Sequence, residues 1–228
     1  MNFHEQLAAA TRADRDYLLG APAIVEALAG RITLPRYLAF LSQAFQHVRH
    51  TVPLLMAAGS RLPAHQQWLQ RGLIPYLEEE VGHDDWILAD IAAAGGDVAA
   101  VRNALPHPAT DALVAYVYDT VQRRNPLGIF GMVYVLEGTS VALALNAADR
   151  IQTALGLPDT AFTYLRSHGK LDQEHVLDLQ GILARLTDPA DHAAIVQCAR
   201  VLFRLYGDMF RGLDEVVVPM AAGARRTA

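Results

Sequence analysis

The strongest constraint on the fold of this chain is a helical spacing of apolar residues that repeats along almost its whole length. Alanine and leucine dominate, and apolar residues recur at intervals of three and four, which places them on one face of a helix. The alternating pattern of β-strands, bounded by Gly or Asn-Gly turns, is missing. The sequence therefore predicts an all-α protein.

Glycine and proline residues divide this pattern into long helices joined by short links. The predicted segments are 3–28, 33–58, 64–94, 111–124, 126–155, 159–186 and 189–215. We expect the first segment to break at Gly20, and others to bend at Pro53, Pro75 and Gly169. The prediction is a single-domain bundle of about seven to eight helices over residues 1–228, with 221–228 as a disordered tail.

Composition limits the classes of partner and compartment. The net charge is only −5 and no run of lysine or arginine stands out, so we expect no nucleic-acid partner. A single cysteine, Cys198, cannot form an intramolecular disulfide. The first residues do not resemble a signal peptide, and no uninterrupted apolar run approaches about 18 residues. We therefore expect a soluble cytoplasmic protein that does not bind membranes.

The segment from His168 to His175 carries the most specific functional signal. It reads His-x-x-x-Asp-x-x-His, and on a helix Asp172 and His175 fall within about 40° of His168. With nine histidines and 24 acids in the chain, we expect roughly 0.04 such patterns by chance. Two imidazoles and a carboxylate on one stripe suit iron, manganese or zinc.

Two further clusters carry carboxylates. Glu80 and His83 form a Glu-x-x-His unit, which helical bundles use to bind two metals, although Glu79 lies equally close to His83 on a helix. Glu137 is the lone charged residue between 127 and 145. Because burying an unpaired carboxylate costs several kcal/mol, we expect Glu137 to be paired, protonated or bound to metal.

Other residues have less specific contexts. His47 and His50 lie on the second predicted helix, where a histidine is commonly an ordinary core or surface residue. Cys198 stands in an apolar segment with no neighbouring base, which favours inert packing over catalysis. Glycines 128, 131 and 138 weaken a helix, so they suggest close approach of its backbone to a ligand or another helix.

With these residues identified, the chain resembles the haem-oxygenase-like superfamily over about residues 5–215. Residues 23–38 resemble the lead-in to its second helix, and 134–139 resemble the distal helix of bacterial haem oxygenases. Within the superfamily it is most similar to the TenA/PqqC-type branch, and specifically to the haem-oxygenase-like di-iron oxidases. That similarity depends on the order of the ligand motifs, which is more specific than any one of them.

The resemblance implies a set of metal ligands and an activity. The implied ligands are His47, Glu80, His83, Glu137, His168, Asp172 and His175. Glu137, His168 and Asp172 are the implied catalytic residues. The implied cofactor is a pair of iron ions, with manganese suited to the same ligands, and the implied activity is oxidation of a small organic substrate by O₂. Members often form homodimers, so a homodimer is expected.

The chain also departs from related patterns. Typical di-iron members have a glutamate on the second helix, where this chain offers only His47. A haem oxygenase needs a proximal histidine on its first helix, where this chain has Arg12, Asp14 and Asp16, so haem is not expected. Two alternatives stay open: a TenA-like, metal-independent hydrolase of a pyrimidine or thiamin-type compound, and a non-enzymatic ligand-binding or regulatory protein.

Overall fold

The computed structural model describes residues 1–222, apart from the side chain of Lys170, and confirms the all-α class. These residues form twelve α-helices, four short 3₁₀ turns and no strand. The helices are α1 (Phe3–Ala10), α2 (Arg12–Leu19), α3 (Pro22–Leu28), α4 (Leu34–Val48), α5 (Thr51–Ser60), α6 (Gln67–Glu80), α7 (His83–Ala93), α8 (Val98–Asn103), α9 (Pro108–Arg123), α10 (Ile129–Leu155), α11 (Thr163–Arg185) and α12 (Pro189–Arg211).

The helix count exceeds the predicted seven to eight because several long segments are divided. The break at Gly20 is present, but the second segment divides between Val48 and Thr51 rather than at Pro53. Pro53 instead lies in the first turn of α5, where its missing N–H removes no helix hydrogen bond. α6 continues through Pro75, and α11 continues through Gly169. Proline and glycine positions therefore predicted these boundaries only in part.

A left-handed glycine separates α6 from α7. Val81 is extended, and Gly82 has φ +90°. A residue with a Cβ rarely adopts that conformation, so glycine allows the chain to turn sharply here. Glu80 ends α6 and His83 begins α7, so this turn fixes the relative position of two predicted ligands.

The longest helix, α10, connects the two main parts of the core. Its first half packs in a hydrophobic cluster with α9 and α12, and its second half packs with α4, α7 and the start of α11. Gly131 lets α10 approach α12 closely, because a Cβ there would lie 2.5 Å from the carbonyl oxygen of Ile195. A Cβ at Gly138, by contrast, would meet no atom within 4 Å, so only some of these glycines mark close helix contacts.

Asp90 of α7 fixes where α11 begins. Its carboxylate accepts hydrogen bonds from the backbone N–H groups of Thr163 and Tyr164, at 2.9 and 2.8 Å. These are the first two residues of α11, whose N–H groups have no partner within the helix. Burial raises the pKa of Asp90, and these two hydrogen bonds oppose that increase. The predicted ligand stripe on α11 is thereby placed relative to α7.

One segment of the described chain, Pro126–Leu155, is long and apolar enough to cross a membrane. It comprises α10 and the turn before it, and 56% of its most apolar window is buried inside the bundle. A core helix of a globular protein can be equally long and apolar, and Glu137 lies in the middle of this segment.

The end of the described chain is hydrogen bonded to the turn after α7. The backbone N–H of Ala221 donates to the carbonyl oxygen of Gly95, and Met220 forms an isolated antiparallel β-bridge with Gly96. Ala221, the predicted start of the tail, is thus hydrogen bonded to the turn after α7. The rest of that prediction falls mainly on residues 223–228, which lie outside the described residues.

Candidate metal centre

Six of the seven predicted ligands come together between four helices. α6 supplies Glu80 and α7 supplies His83, while Glu137 lies in the middle of α10. The remaining three, His168, Asp172 and His175, lie on one side of α11, as their spacing predicts. The side chains are buried or nearly so.

The Glu-x-x-His pair is close in space for a reason that its spacing does not reveal. Glu80 and His83 do not share a helix, because the turn at Val81 and Gly82 separates them. Even so, Oε2 of Glu80 lies 3.2 Å from Nδ1 of His83. The prediction that they are neighbours on one helix surface is wrong, although their proximity is correct.

His175 lies at the centre of the carboxylates. Its Nδ1 atom is 3.6 Å from Glu137 Oε1, 3.7 Å from Asp172 Oδ1 and 3.8 Å from Glu80 Oε1. Ligand atoms of Glu80, Glu137 and His175 all lie within 4.8 Å of one another. Because metal–ligand bonds are roughly 2.0–2.2 Å long, opposite ligands of one ion lie about 4 Å apart. These three residues have nearly that spacing.

A second group of ligand atoms adjoins the first. Nδ1 of His168 lies 3.3 Å from Asp172 Oδ1, and the His168 ring meets the His83 ring edge to face with centres 4.6 Å apart. Asp172 is therefore close to both His168 and His175. This arrangement suits a carboxylate between two neighbouring cation positions.

Several of these buried polar atoms lack any hydrogen-bond partner among the described residues. They include both carboxylate oxygens of Glu137, both of Asp172, both ring nitrogens of His83, Nε2 of His168 and Nδ1 of His175. Unsatisfied buried polar groups are costly and rare in native proteins. Their concentration at one point, with a donor set of carboxylates and imidazoles, fits a site for metal ions.

Among the side chains that the structure describes, no arginine or lysine pairs with the carboxylates of the site. Among the described residues, the ion-pair partners of Glu80, Glu137 and Asp172 are histidines. Burial raises the pKa of Glu137 to about 7. For Asp172 burial acts in the same direction, but the nearby imidazoles of His168 and His175, at 3.3 and 3.7 Å, outweigh it and lower the pKa. The described partner of Glu137 is therefore an imidazole, His175.

Glu79 contacts the site from the opposite side of His175. Its Oε2 atom lies 2.6 Å from Nε2 of His175, whereas Glu80 faces the interior. Burial opposes a charge on His175, but Asp172, Glu137 and Glu79 outweigh burial and raise its pKa to about 11. Glu80 is therefore the better-placed ligand of the two. Residue spacing carries no signal for the contact made by Glu79, which depends on how α6 packs against α11.

His47 lies beside the ligand group but is not one of the residues with closely spaced ligand atoms, which are Glu80, Glu137 and His175. It is buried on α4, and neither ring nitrogen has a hydrogen-bond partner within the described part of the chain. Burial lowers its pKa to about 3, so the ring is neutral. His47 lines the same cavity as Glu80, Glu137, His168 and Asp172. His50, by contrast, has its Nδ1 atom 3.1 Å from the hydroxyl of Tyr118.

Aromatic side chains surround the histidines. Trp86 stacks on His83 with ring centres 4.2 Å apart, Tyr164 meets His168 at 4.7 Å, and Tyr76 meets His175 at 4.6 Å. These contacts restrict rotation of the imidazoles and reduce the access of water to them. Tyr76 also lines the cavity described next.

A cavity of about 120 Å³ opens beside the carboxylates. Its walls come from α3, α4, α10, α11 and α12, with smaller contributions from α5 and the end of α6, and are mainly apolar. Cys198 is not among the lining residues; it is buried on α12, and burial raises the pKa of its thiol to about 12. The thiol is thus protonated and remote from the candidate site, in agreement with inert packing.

Comparison with known proteins matches this chain to a family and a fold. A family model described as iron-containing redox enzyme matches residues 38–207. A search of curated protein sequences gave no match.

Solved structures share the whole architecture at low sequence identity. A domain of unknown function with a haem oxygenase-like fold from Shewanella denitrificans OS217 is 22% identical, with a TM-score of 0.82, covering 94% of this chain and 93% of that one. A TenA homologue from Pseudomonas syringae pv. tomato DC3000 is 12% identical, with a TM-score of 0.77 and coverage of 94% and 93%. A haem oxygenase from Leptospira interrogans is 14% identical, with a TM-score of 0.76 and coverage of 92% and 99%. These similarities confirm the haem oxygenase-like fold.

Proposed function

Because the chain belongs to the family of iron-containing redox enzymes, we propose that it is a non-haem di-iron oxidase that uses O₂ to oxidise a small organic substrate. The observation that carries the proposal is the group of unpartnered carboxylate and imidazole atoms from α6, α7, α10 and α11. Glu80, His83, Glu137, His168, Asp172 and His175 would hold the ions, with His47 beside them. Two bound Fe(II) ions would supply two of the electrons that reduce O₂, and the oxidised substrate would supply the other two.

The side chains of this chain have distinct roles in the proposed reaction. Glu137 and Asp172 would provide negative charge in the interior, Glu137 beside His175 and Asp172 between His168 and His175. The aromatic rings around His83, His168 and His175 hold the imidazoles in place. The apolar cavity beside Glu137 keeps water from the reacting substrate. Ions of manganese suit the same donor atoms as iron.

A haem cofactor is not part of the proposal. His4 is the one histidine in α1 and α2, and its ring meets Tyr134 edge to face with centres 5.9 Å apart. His4 is not among the residues that line the cavity. The residues near the expected proximal position, such as Asp14, pair with arginines of α12 instead.

Rapid mixing tests the proposed reaction. The metal-free protein is loaded with Fe(II) under anaerobic conditions, freed of unbound iron, and mixed with O₂-saturated buffer while absorbance is recorded. We expect a transient absorbance change that depends on bound iron and is lost in Asp172→Ala. Retention of iron without any reaction with O₂, or no retention of iron, would contradict the proposal.

A TenA-like hydrolase is the second candidate, and Glu137 is the observation in its favour. A buried acid whose pKa is raised to about 7 by burial, facing a cavity, suits general acid–base chemistry without metal. The two candidates differ in one readout. Hydrolysis of a thiamin-type compound by metal-free protein favours the hydrolase, whereas iron-dependent consumption of O₂ favours the oxidase.

A further inference from the structure

We infer that the cavity beside the ligand group binds an uncharged, apolar substrate whose body is about the size of a single six-membered ring. This inference names the substrate class of the proposed oxidase and therefore rests on that function. It depends on four features of the cavity: the change from polar to apolar residues along α10, the small residues of α3 and α10, the position of the charged side chains, and the volume.

One stripe of α10 changes from polar to apolar along the cavity. Glu137 and Ser140 are followed at intervals of three and four by Ala144, Ala147 and Ile151, and all five line the cavity. At 1.5 Å per residue, Ala144 lies about 10 Å and Ile151 about 21 Å along the helix from Glu137. The apolar part of the cavity thus lies at a distance from the carboxylates, and both line the same cavity.

Small side chains provide the space in this apolar part. Ala23 and Ala27 of α3 line the wall together with Ala144 and Ala147 of α10. Phe40 and Phe210 also line it, with ring centres 5.6 Å apart in a stacked arrangement. Alanines on two helices leave a gap that larger residues would fill, and the aromatic pair provides a rigid apolar surface.

Charge is confined to the end of the cavity at the ligand group. The charged or ionisable side chains of its lining are Glu80, Glu137, Asp172, His47 and His168, together with tyrosine hydroxyls. Among the described residues, none that lines the cavity is an arginine or a lysine. A charged group placed in the apolar part would have no partner there, and burying it would cost several kcal/mol. The substrate body is therefore uncharged.

The volume limits the size of that body. The cavity measures about 120 Å³. An engineered protein cavity of about 150 Å³ with a similar aliphatic and aromatic lining binds benzene. A benzene-sized body consequently fits this space with little room to spare.

Two probes of the same shape and different charge test the inference. Toluene and the benzylammonium ion are titrated calorimetrically into anaerobic Fe(II)-loaded protein at neutral pH. We expect saturable binding of toluene, and binding of benzylammonium weaker by more than about tenfold because of the cost of burying its charge. Failure of toluene to saturate, or equal binding of the two probes, would overturn the inference.

Variants that fill the cavity show where the probe binds. Ala144→Leu and Ala147→Leu narrow the apolar part, and each should weaken toluene binding at least about tenfold by occupying its volume. Ala142→Leu is the matched control, because Ala142 is exposed on the same helix and does not line the cavity. Toluene binding that is unchanged in a folded cavity variant would overturn the inference, with folding checked by thermal unfolding. Ala147 is only partly buried, which keeps one variant usable if Ala144→Leu does not fold.

Iron content measured on the same samples separates this inference from the proposed function. Loss of toluene binding with full iron content and O₂ reactivity in the cavity variants supports the inference. Absence of toluene binding in a wild-type protein that retains iron and reacts with O₂ contradicts this inference alone. Absence of bound iron contradicts the proposed function, whatever the toluene result.

Discussion

The two ring nitrogens of His175 face carboxylates on opposite sides. Nε2 lies 2.6 Å from Oε2 of Glu79, whose side chain is 53% exposed, while Nδ1 faces the buried Glu137 at 3.6 Å. A carboxylate that accepts the second ring N–H of a histidine fixes both its tautomer and its orientation. The arrangement leaves Nδ1 as the nitrogen available for a metal ion.

Replacing Glu79 is expected to weaken metal binding without unfolding the protein. Glu79→Gln removes the charge that holds His175, and loss of such a partner typically lowers metal affinity about 10- to 100-fold. Competition of the protein with a chelator for Fe(II) measures the change. Glu78→Gln is the control, since Glu78 is an exposed neighbour on the same helix. Equal affinities of the two variants would show that Glu79 does not position His175.

Replacing His47 by glutamate is expected to strengthen binding of a second ion. The neutral His47 adds no charge to the site. The family pattern that the sequence resembles has a glutamate at this place. In His47→Glu the added carboxylate faces the same cavity as Glu137 and Asp172. The measurement is the number of Fe(II) ions retained during dialysis against a weak chelator. The control is His50→Glu, at a position where the histidine contacts Tyr118. If His47→Glu retains no more iron than His50→Glu, His47 does not occupy a ligand position.

Two glycines of α10 are expected to respond oppositely to alanine. Gly131→Ala places a Cβ 2.5 Å from the carbonyl oxygen of Ile195, so α10 and α12 must move apart, at a cost of about 1–3 kcal/mol. Gly138→Ala meets no atom within 4 Å and removes backbone freedom from the unfolded chain, which stabilises by up to about 1 kcal/mol. Urea unfolding of both variants measures the difference. Equal free energies of unfolding would contradict the close helix contact.

The ion pairs of Asp14 are expected to make stability depend on pH in the acidic range. Burial opposes the charge of Asp14, but hydrogen bonds from Arg204 and Arg200, at 2.7 and 3.1 Å, outweigh burial and lower its pKa below 3.8. An acid with a lowered pKa in the folded state stabilises above its unfolded pKa, and that stabilisation is lost as pH falls through the folded pKa.

Asp14→Asn should therefore cost about 1 kcal/mol at pH 7, a value reduced by the exposure of both arginines. The cost should vanish as pH falls below the lowered pKa of Asp14, where the wild-type carboxylate is also protonated. Thermal unfolding from pH 2 to pH 7 measures it, with Asp16→Asn as an exposed control on α2. A cost that stays constant with pH would show that the charge of Asp14 is not what matters.

The sequence predicted those features that depend on local spacing. The stripe of His168, Asp172 and His175 needs only the periodicity of one helix, and the end of α10 at Gly156 follows from its left-handed conformation. Helix breaks were less predictable, because tertiary packing decides whether Pro75 ends a helix or Gly82 turns the chain. The contacts of Glu79 and the cavity between α3 and α10 depend on residues far apart in sequence, for which spacing gives no signal.

Iron retention by the wild type and by Glu137→Gln shows whether the ligand group binds two iron ions. Glutamine keeps the shape of the buried side chain and removes its charge, and Glu137 lies among the ligand atoms of Glu80 and His175. After anaerobic Fe(II) loading and gel filtration, we expect the wild-type protein to retain about two iron ions per chain. We expect Glu137→Gln to lose at least about half of that iron while its far-UV circular dichroism stays unchanged. A wild-type protein that retains no iron, or a folded Glu137→Gln variant that retains as much as the wild type, would contradict this expectation.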